Sequence, residues 1–305
     1  MLEAAWVHVW CERHLGATPI RELLSKTTMS SVVAVELDDG RSVVVKKRPN
    51  EQGRAEHCIA VQVALAAEGF PCPRPITGVT VEEGMAIHAE EWLPGGTLVR
   101  EDDEAAAQRS AALLADLMTR MEKIDARPPL PNPEWVRWDH SDPGTFPANA
   151  RHDARAAVIP LPSWIEDSAQ RVRARMASVS LPSLVGHADW EAQNLRWRGD
   201  QPHAVHDWDS LACLSEAAIA GSAAGAFAST EIPSLAPLDS SRAFLNAYEE
   251  RRDRPFTTEE TNVAWAASIW HAIHNARAEV LHEQPPVAFT ALEAQVDERL
   301  ALARA

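Results

Sequence analysis

The sequence is short of cysteine, of basic residues and of long apolar runs, and each shortage closes off a class of protein. The four cysteines, Cys11, Cys58, Cys72 and Cys213, form no CxxC pair and have no histidine at zinc-finger spacing. A disulfide framework or structural zinc is therefore not expected, and free buried thiols in a reducing cytoplasm are. Lys and Arg number 29 against 44 Asp and Glu, a formal net charge of −15. Nucleic acid and anionic membranes both demand Lys/Arg clusters, so neither is an expected partner, whereas a cationic ligand is compatible. The longest small-apolar run, residues 217–228, is too short and too rich in Ala and Gly to span a bilayer. It reads as a close-packed internal helix. The start of the chain lacks a basic region and carries Glu3, so no signal peptide is expected. No internal repeat is visible.

What is present is a chain of 305 residues, 46% apolar, enough for two lobes around a cleft. Leu2, Trp6, Val9 and Trp10 recur at helical spacing and predict an amphipathic opening helix. Val32, Val33, Val35 and Leu37, then Val43 to Val45, predict two strands joined by a hairpin at Asp38-Asp39-Gly40. A helix over 53–68 ends at Gly69, followed by strands over 76–81 and 85–93. Pro94-Gly95-Gly96 is a strong breaker and a candidate hinge between lobes. Beyond it, 101–124 reads as a long helix, and 126–162 as a long Pro-rich stretch, either disordered or a lid. Trp135, Trp138 and Phe146 within that stretch favour packing over disorder. Helix resumes over 164–177, and beyond Ser210 the chain reads as helical to its end. The plan is α+β and bilobal: a small β-rich N-terminal lobe over 1–94, and a larger, mainly helical lobe over 95–305 with 126–162 as its candidate lid.

The most specific chemical signal is His187-Ala188-Asp189-Trp190-Glu191-Ala192-Gln193-Asn194, an H-x-D-x-x-x-x-N pattern after a short apolar strand. A second is His206-Asp207-Trp208-Asp209, with a turn at Gly199-Asp200 between the two. A hairpin there would bring Asp189, Asn194 and Asp207 together. Phosphoryl transfer needs an acceptor-orienting carboxylate and ligands for Mg²⁺, with little covalent chemistry from the protein. Asp189 suits the first role. Asn194 and Asp207 supply the oxygen donors that hard Mg²⁺ prefers. The competing structural reading makes Asp189 and Asn194 an Asx turn and Asp207 a helix cap. Asp209 either helps hold the metal or caps the next segment, and His187 orients the loop. His271, His274 and Asn275 lie on a late helix and read either as pocket lining or as core polar groups.

On these motifs the sequence resembles the aminoglycoside phosphotransferase family, itself similar to choline and related small-molecule kinases. The resemblance runs over about 23–216 and implies a protein-kinase-like fold, with ATP and Mg²⁺ as cofactors. It implies that Lys46, ending the Val43-Val44-Val45 strand, binds phosphate. It also implies that the stretch Glu90-Glu91-Trp92-Leu93 before Pro94 is the hinge whose backbone holds adenine, with Glu91 and Leu93 as the contacting residues. Three departures stand out. Trp190-Glu191-Ala192-Gln193 replaces the common x-H-P-x of the family loop. The expected nucleotide loop, residues 25–31, has no glycine. The acid partner of Lys46 is Glu56, on the following helix, or Glu51, and Lys47 competes with Lys46 for the cleft side of the strand.

The leading reading is thus a small-molecule kinase transferring phosphate to a hydroxyl of an aminoglycoside, another sugar or an amino alcohol. The alternatives are a catalytically silent kinase-like nucleotide- or ligand-binding protein, and a metal-dependent hydrolase built on His187, Asp189, His206 and Asp207.

Overall fold

The computed structural model describes residues 5–27 and 30–305. Leu2, Glu3 and two residues of the expected nucleotide loop, Thr28 and Met29, lie outside the described residues. The chain divides into two compact units. The first comprises the chain up to Gly96 together with 124–131 and 203–209, and the second comprises the remainder.

In the first unit, β1 (Pro19–Thr27), β2 (Ser31–Leu37), β3 (Ser42–Pro49), β4 (Thr80–Glu82) and β5 (Met85–Glu91) form one antiparallel sheet in the order β1-β2-β3-β5-β4. The β2–β3 connection is the tight turn foreseen, with Gly40 at φ +85° donating its N–H to the Leu37 carbonyl. Alternation along β2 and β3 sends Val33, Val35, Leu37, Val43 and Val45 to one face. There they meet Val7, Trp10 and Cys11 of α1 (Ala5–Leu15). The buried side of α1 differs from the expected one: Val9 is 53% exposed and Val7 fully buried. The helix is too short and its apolar residues too evenly spread for spacing alone to choose the face. The other face of the sheet carries the polar residues of interest. The α2 helix (Arg54–Ala67) follows β3, and Gly69 ends its C-terminal turn at φ +75°.

The second unit holds α3 (Glu104–Met121), capped by the Asp103 side chain on Ala106 N–H, then α4 (Ala150–Ala156) and α5 (Ser163–Ala177). Strand β6 (Ser183–His187) follows. Next, β7 (Leu195–Arg198) and β8 (Gln201–Val205) flank a turn in which Gly199 has φ +58°. Contrary to the all-helical expectation past Ser210, β9 (Leu211–Ser215) is a strand. It pairs antiparallel with β6, with His187 opposite Leu211, and its Leu211 and Ala212 are fully buried. Five residues are too few to show a period, so this strand was hidden among the helices. The remaining helices are α6 (Glu216–Ala226), α7 (Leu238–Arg252), α8 (Thr258–His282), α9 (Val287–Glu293) and α10 (Val296–Ala303). Helix α6 is the close-packed internal helix foreseen. Every residue in it is buried, and a Cβ on Gly221 would lie 2.1 Å from the Ala264 carbonyl oxygen of α8.

Outside α4, the long stretch after α3 is ordered largely by side-chain contacts. Arg173 of α5 donates to four of its carbonyls: Trp138 (2.7 Å), His140 and Gly144 (3.0 Å each) and Thr145 (3.2 Å). The Trp270 indole donates to the Trp135 carbonyl at 2.7 Å, and Phe146 is buried against Trp270 and His274.

Candidate active site

Alternation along β3 puts Lys46 and Arg48 on one face of the sheet and Lys47 on the other. Lys47 lies over the Trp6 ring, 5.1 Å from its centre, so Lys46 is the inward lysine. Opposite Lys46 in the register stands His88 of β5, and two residues further Glu90 shares that face. Lys46 Nζ pairs with Glu90 Oε1 at 2.9 Å, and both side chains are buried. This corrects the expectation for the lysine's partner. Glu56, in the first turn of α2, and Glu51 are both exposed, and the acid comes from the neighbouring strand. Gln62 of α2 holds the other carboxylate oxygen, its Nε2 donating to Glu90 Oε2 at 2.9 Å and to the Pro73 carbonyl at 2.7 Å.

Burial opposes charge on both partners, and their mutual attraction overrides it. Desolvation pulls Lys46 down, but Glu90, then Asp209 and Asp207, raise it above the ordinary lysine value. Desolvation pushes Glu90 up, but the Lys46 ammonium and then the neighbouring His88 imidazole hold it well below the ordinary carboxylate range. His88 is lowered by its own burial, against the pull of Glu90. The same unit therefore contains the Lys46–Glu90 pair and the Asp207–Asp209 segment, although more than 100 residues separate them in sequence.

Asp207 adopts φ +60°, the left-handed region that Asp tolerates better than most residues. Next to it, Trp208 is buried, its Nε1 donating to the Val205 carbonyl at 2.9 Å and its ring edge-on to Phe70. Asp209 forms an ion pair with Arg48 (Nη2 to Oδ1, 2.8 Å), and its carbonyl accepts from Arg54 Nη2 at 2.6 Å.

In the second unit, β6 ends at His187, which is fully buried. Its Nδ1 accepts from the Asp189 backbone N–H at 3.3 Å. Gly186 just before it is closely packed: a Cβ there would lie 2.6 Å from Ile219 Cδ1 and 3.0 Å from Met118 Sδ, so those side-chain ends would have to shift. Asp189 and Asn194 are brought together: Asn194 Nδ2 donates to Asp189 Oδ2 and to the Asp189 carbonyl, both at 2.9 Å. The amide is thereby oriented with its oxygen left as an acceptor. The unusual loop residues have structural work. Trp190 is buried and its indole donates to Ser110 Oγ of α3 at 3.0 Å, while Gln193 bonds Glu191 at 2.5 Å.

In the stretch expected to be the hinge, Glu91 donates its backbone N–H to the Arg74 carbonyl at 2.9 Å and pairs its carboxylate with the Arg74 guanidinium at 2.7 Å. Gly95 and Gly96 have φ +90° and +74°, a path closed to most other residues, and the division between the two units falls directly after them. The His203 ring bonds the Pro94 carbonyl at 3.1 Å.

Among the described residues, no group of three or more His, Cys, Asp or Glu side chains could hold a metal ion by itself. Taken singly, each unit's oxygen donor is of the kind that suits a cation completing its shell with phosphate and water oxygens. Mg²⁺ is commonly held by one or two protein oxygens plus substrate phosphates. Asp207, electrostatically coupled to Lys46, and the oriented Asn194 amide are donors of that kind.

His271 and His274 of α8 lie apart from these motifs. Their Nε2 atoms are shut off from solvent and have no partner among the described residues. Burial lowers His271 to about 4. Burial, then His271, Arg277, His152 and His140, lower His274 to about 3. Both imidazoles are neutral in the fold and bind protons more readily in the unfolded chain, where the ordinary value is 6.5. Stability is therefore full above pH 6.5 and falls as the pH drops towards 4, by about 1.4 kcal/mol per pH unit for each imidazole. Urea unfolding between pH 7 and 4.5 should show this slope, reduced by about that amount in His274→Gln. A slope unchanged by the substitution would place the acid sensitivity elsewhere.

The fold has many solved relatives. The chain is similar to amicoumacin kinase hAmiN, solved with AMP-PNP, Ca²⁺ and Ami (10% identity, 99% of this chain and 94% of that one, TM-score 0.64). It is similar to macrolide 2′-phosphotransferase MphH from Brachybacterium faecium (15% identity, 98% of each chain, TM-score 0.56). It is also similar to a choline/ethanolamine kinase family protein from Mesorhizobium loti (13% identity, 93% of this chain and 88% of that one, TM-score 0.57). No curated protein matches by sequence. These likenesses show the fold: an α+β fold of the protein-kinase-like class, with an antiparallel sheet in the first unit and a largely helical second. Within that class the chain belongs to the phosphotransferase enzyme family, whose model matches residues 21–214. Among the described residues, no helix is long and apolar enough to cross a membrane.

Proposed function

We infer that this protein is an ATP- and Mg²⁺-dependent phosphotransferase that moves the γ-phosphate to a hydroxyl of a small molecule. The observation that carries the reading is the buried Lys46–Glu90 pair with Asp207 and Asp209 in its field. A fully charged lysine fixed by a carboxylate and facing two further acids suits a site for phosphate and a divalent cation, and is costly without a purpose. Lys46 contacts phosphate oxygens. Asp207 and Asn194 would each offer an oxygen to Mg²⁺, which when bound would neutralise phosphate charge. Asp189 accepts the hydrogen bond of the acceptor hydroxyl and aligns it, while His187 sets the loop. Adenine is read by the backbone at Glu91 and Leu93. The Leu93 main chain makes no intramolecular hydrogen bond among the described residues, while the Glu91 N–H is already bonded to the Arg74 carbonyl.

The acceptor is an aminoglycoside, another sugar or an amino alcohol. Similar structures include enzymes named for amicoumacin and for macrolides. With a net charge of −15, the surface field concentrates a cationic acceptor and repels an anionic one. A cytoplasmic location suits an ATP-using enzyme whose four cysteines are all free. Titration calorimetry should show millimolar or tighter binding of MgATP, with its Mg²⁺-dependent part largely removed in Asp207→Ala. ADP release with a panel of hydroxyl acceptors then identifies the substrate. A wild-type protein that binds no MgATP at millimolar nucleotide sinks this reading.

A further inference from the structure

Asp209 stands two residues after Asp207, and its carboxylate is already committed. Arg48 Nη2 lies 2.8 Å from Asp209 Oδ1, and Arg48 Nη1 lies 3.1 Å from His88 Nδ1. Arg48, His88 and Glu90 are all buried, and His88 Nε2 lies 3.8 Å from Glu90 Oε2. Lys46, Glu90, His88 and Arg48 thus line one face of β3 and β5, with Asp209 paired to Arg48 at its end. Arg54 adds a second tie: at the start of α2 it is buried, donating to the Asp209 carbonyl at 2.6 Å and to the Pro129 carbonyl at 3.0 Å. The buried Trp208 lies between these ties and Asp207, which adopts φ +60°. An Asp in the left-handed region persists where its surroundings over-determine it.

We propose that Arg48 and Asp209 form a latch that fixes Asp207 for its metal, and that Asp209 is a positioning residue rather than a metal ligand. The proposal rests on the phosphotransferase reading and makes it more specific. Two carboxylates so close in sequence could each be offered to a cation. The arginine neutralises one, so that Asp207 is the carboxylate that takes the metal, and it turns the spare acid into a tether between the segment and the sheet bearing Lys46. Because Arg48 is on the same strand and face as Lys46, the register that places the phosphate-contacting lysine also places Asp207.

The test measures Mg²⁺-dependent binding of AMP-PNP by calorimetry, which needs no turnover. For Arg48→Met and Asp209→Asn, affinity for AMP-PNP in saturating Mg²⁺ should fall about tenfold, the range seen when a ligand's supporting partner is lost. Affinity in EDTA should hold near the wild-type value. The double variant should be no worse than either single one, because both remove the same tie. Arg48→Lys, which retains a cation, should recover part of the loss and serves as the reference if Arg48→Met folds poorly. If Asp209 were itself a ligand, releasing it in Arg48→Met would tighten Mg²⁺ while Asp209→Asn weakened it, and that pattern overturns the proposal. Wild-type affinity in both single variants also overturns it and leaves the phosphotransferase reading standing. A wild type that binds no Mg²⁺–AMP-PNP overturns both.

Discussion

Asp189→Asn is expected to lower kcat by about 10³-fold while the dissociation constant for MgATP stays within about twofold of wild type. A carboxylate that aligns the acceptor hydroxyl acts as that hydroxyl becomes a nucleophile, so its loss appears in turnover and not in nucleotide binding. Asn has nearly the same shape, and one of the two bonds from Asn194 goes to the Asp189 carbonyl, which the substitution leaves in place. The Asp189 N–H also keeps its contact with the buried His187 ring. The loop should therefore remain folded, and the loss should be chemical. Single-turnover kinetics alongside calorimetry separates the two parameters. Retention of most of the activity would mean that Asp189 does not orient the acceptor.

Glu90→Gln should have the largest effect on stability of any single change in the first unit, about 3–5 kcal/mol, because it leaves the buried Lys46 ammonium without its nearest counter-charge. Gln62 would also face an amide where it now donates to a carboxylate oxygen. The remaining acids in the field of Lys46 are Asp209 and Asp207. The ammonium should turn towards them, so MgATP binding should weaken along with the fold. Lys46→Met/Glu90→Leu, which removes both charges, should recover much of the stability and none of the nucleotide affinity. Urea denaturation measures the first and calorimetry the second. A double variant less stable than Glu90→Gln would show that the pair stabilises the fold in its own right.

Much of this was legible in the sequence, and the gaps share a physical origin. The H-x-D-x-x-x-x-N motif was readable because its residues are bound within one loop. His187, Asp189 and Asn194 reach one another across at most seven positions, so local spacing carries the geometry. The hairpin at Gly40, the α2 helix with its Gly69 terminus and the fully buried α6 were readable for the same reason: turn chemistry and composition are local properties. The choice between Lys46 and Lys47 needed the other side of the sheet, where Trp6 of α1 takes Lys47. The partner of Lys46 was missed because β3 and β5 are neighbours in the sheet but not in the chain. Alternation on β5 does place His88 and Glu90 on one face, a signal present in the sequence. The register that sets that face against Lys46 is decided only when α2 and the connection through Pro71, Pro73 and Pro75 fold back.

By itself, then, the sequence determined which residue types stand at each chemical position and which elements carry them, since propensity, alternation and turn residues act over a few positions. The tertiary structure alone decided which charges neutralise which. Glu90 rather than Glu56 meets Lys46, and Arg48 meets Asp209. Ion pairing depends on distances of a few ångströms between side chains on non-adjacent segments, and burial multiplies its consequence. Neither quantity exists until the sheet has closed around the pair.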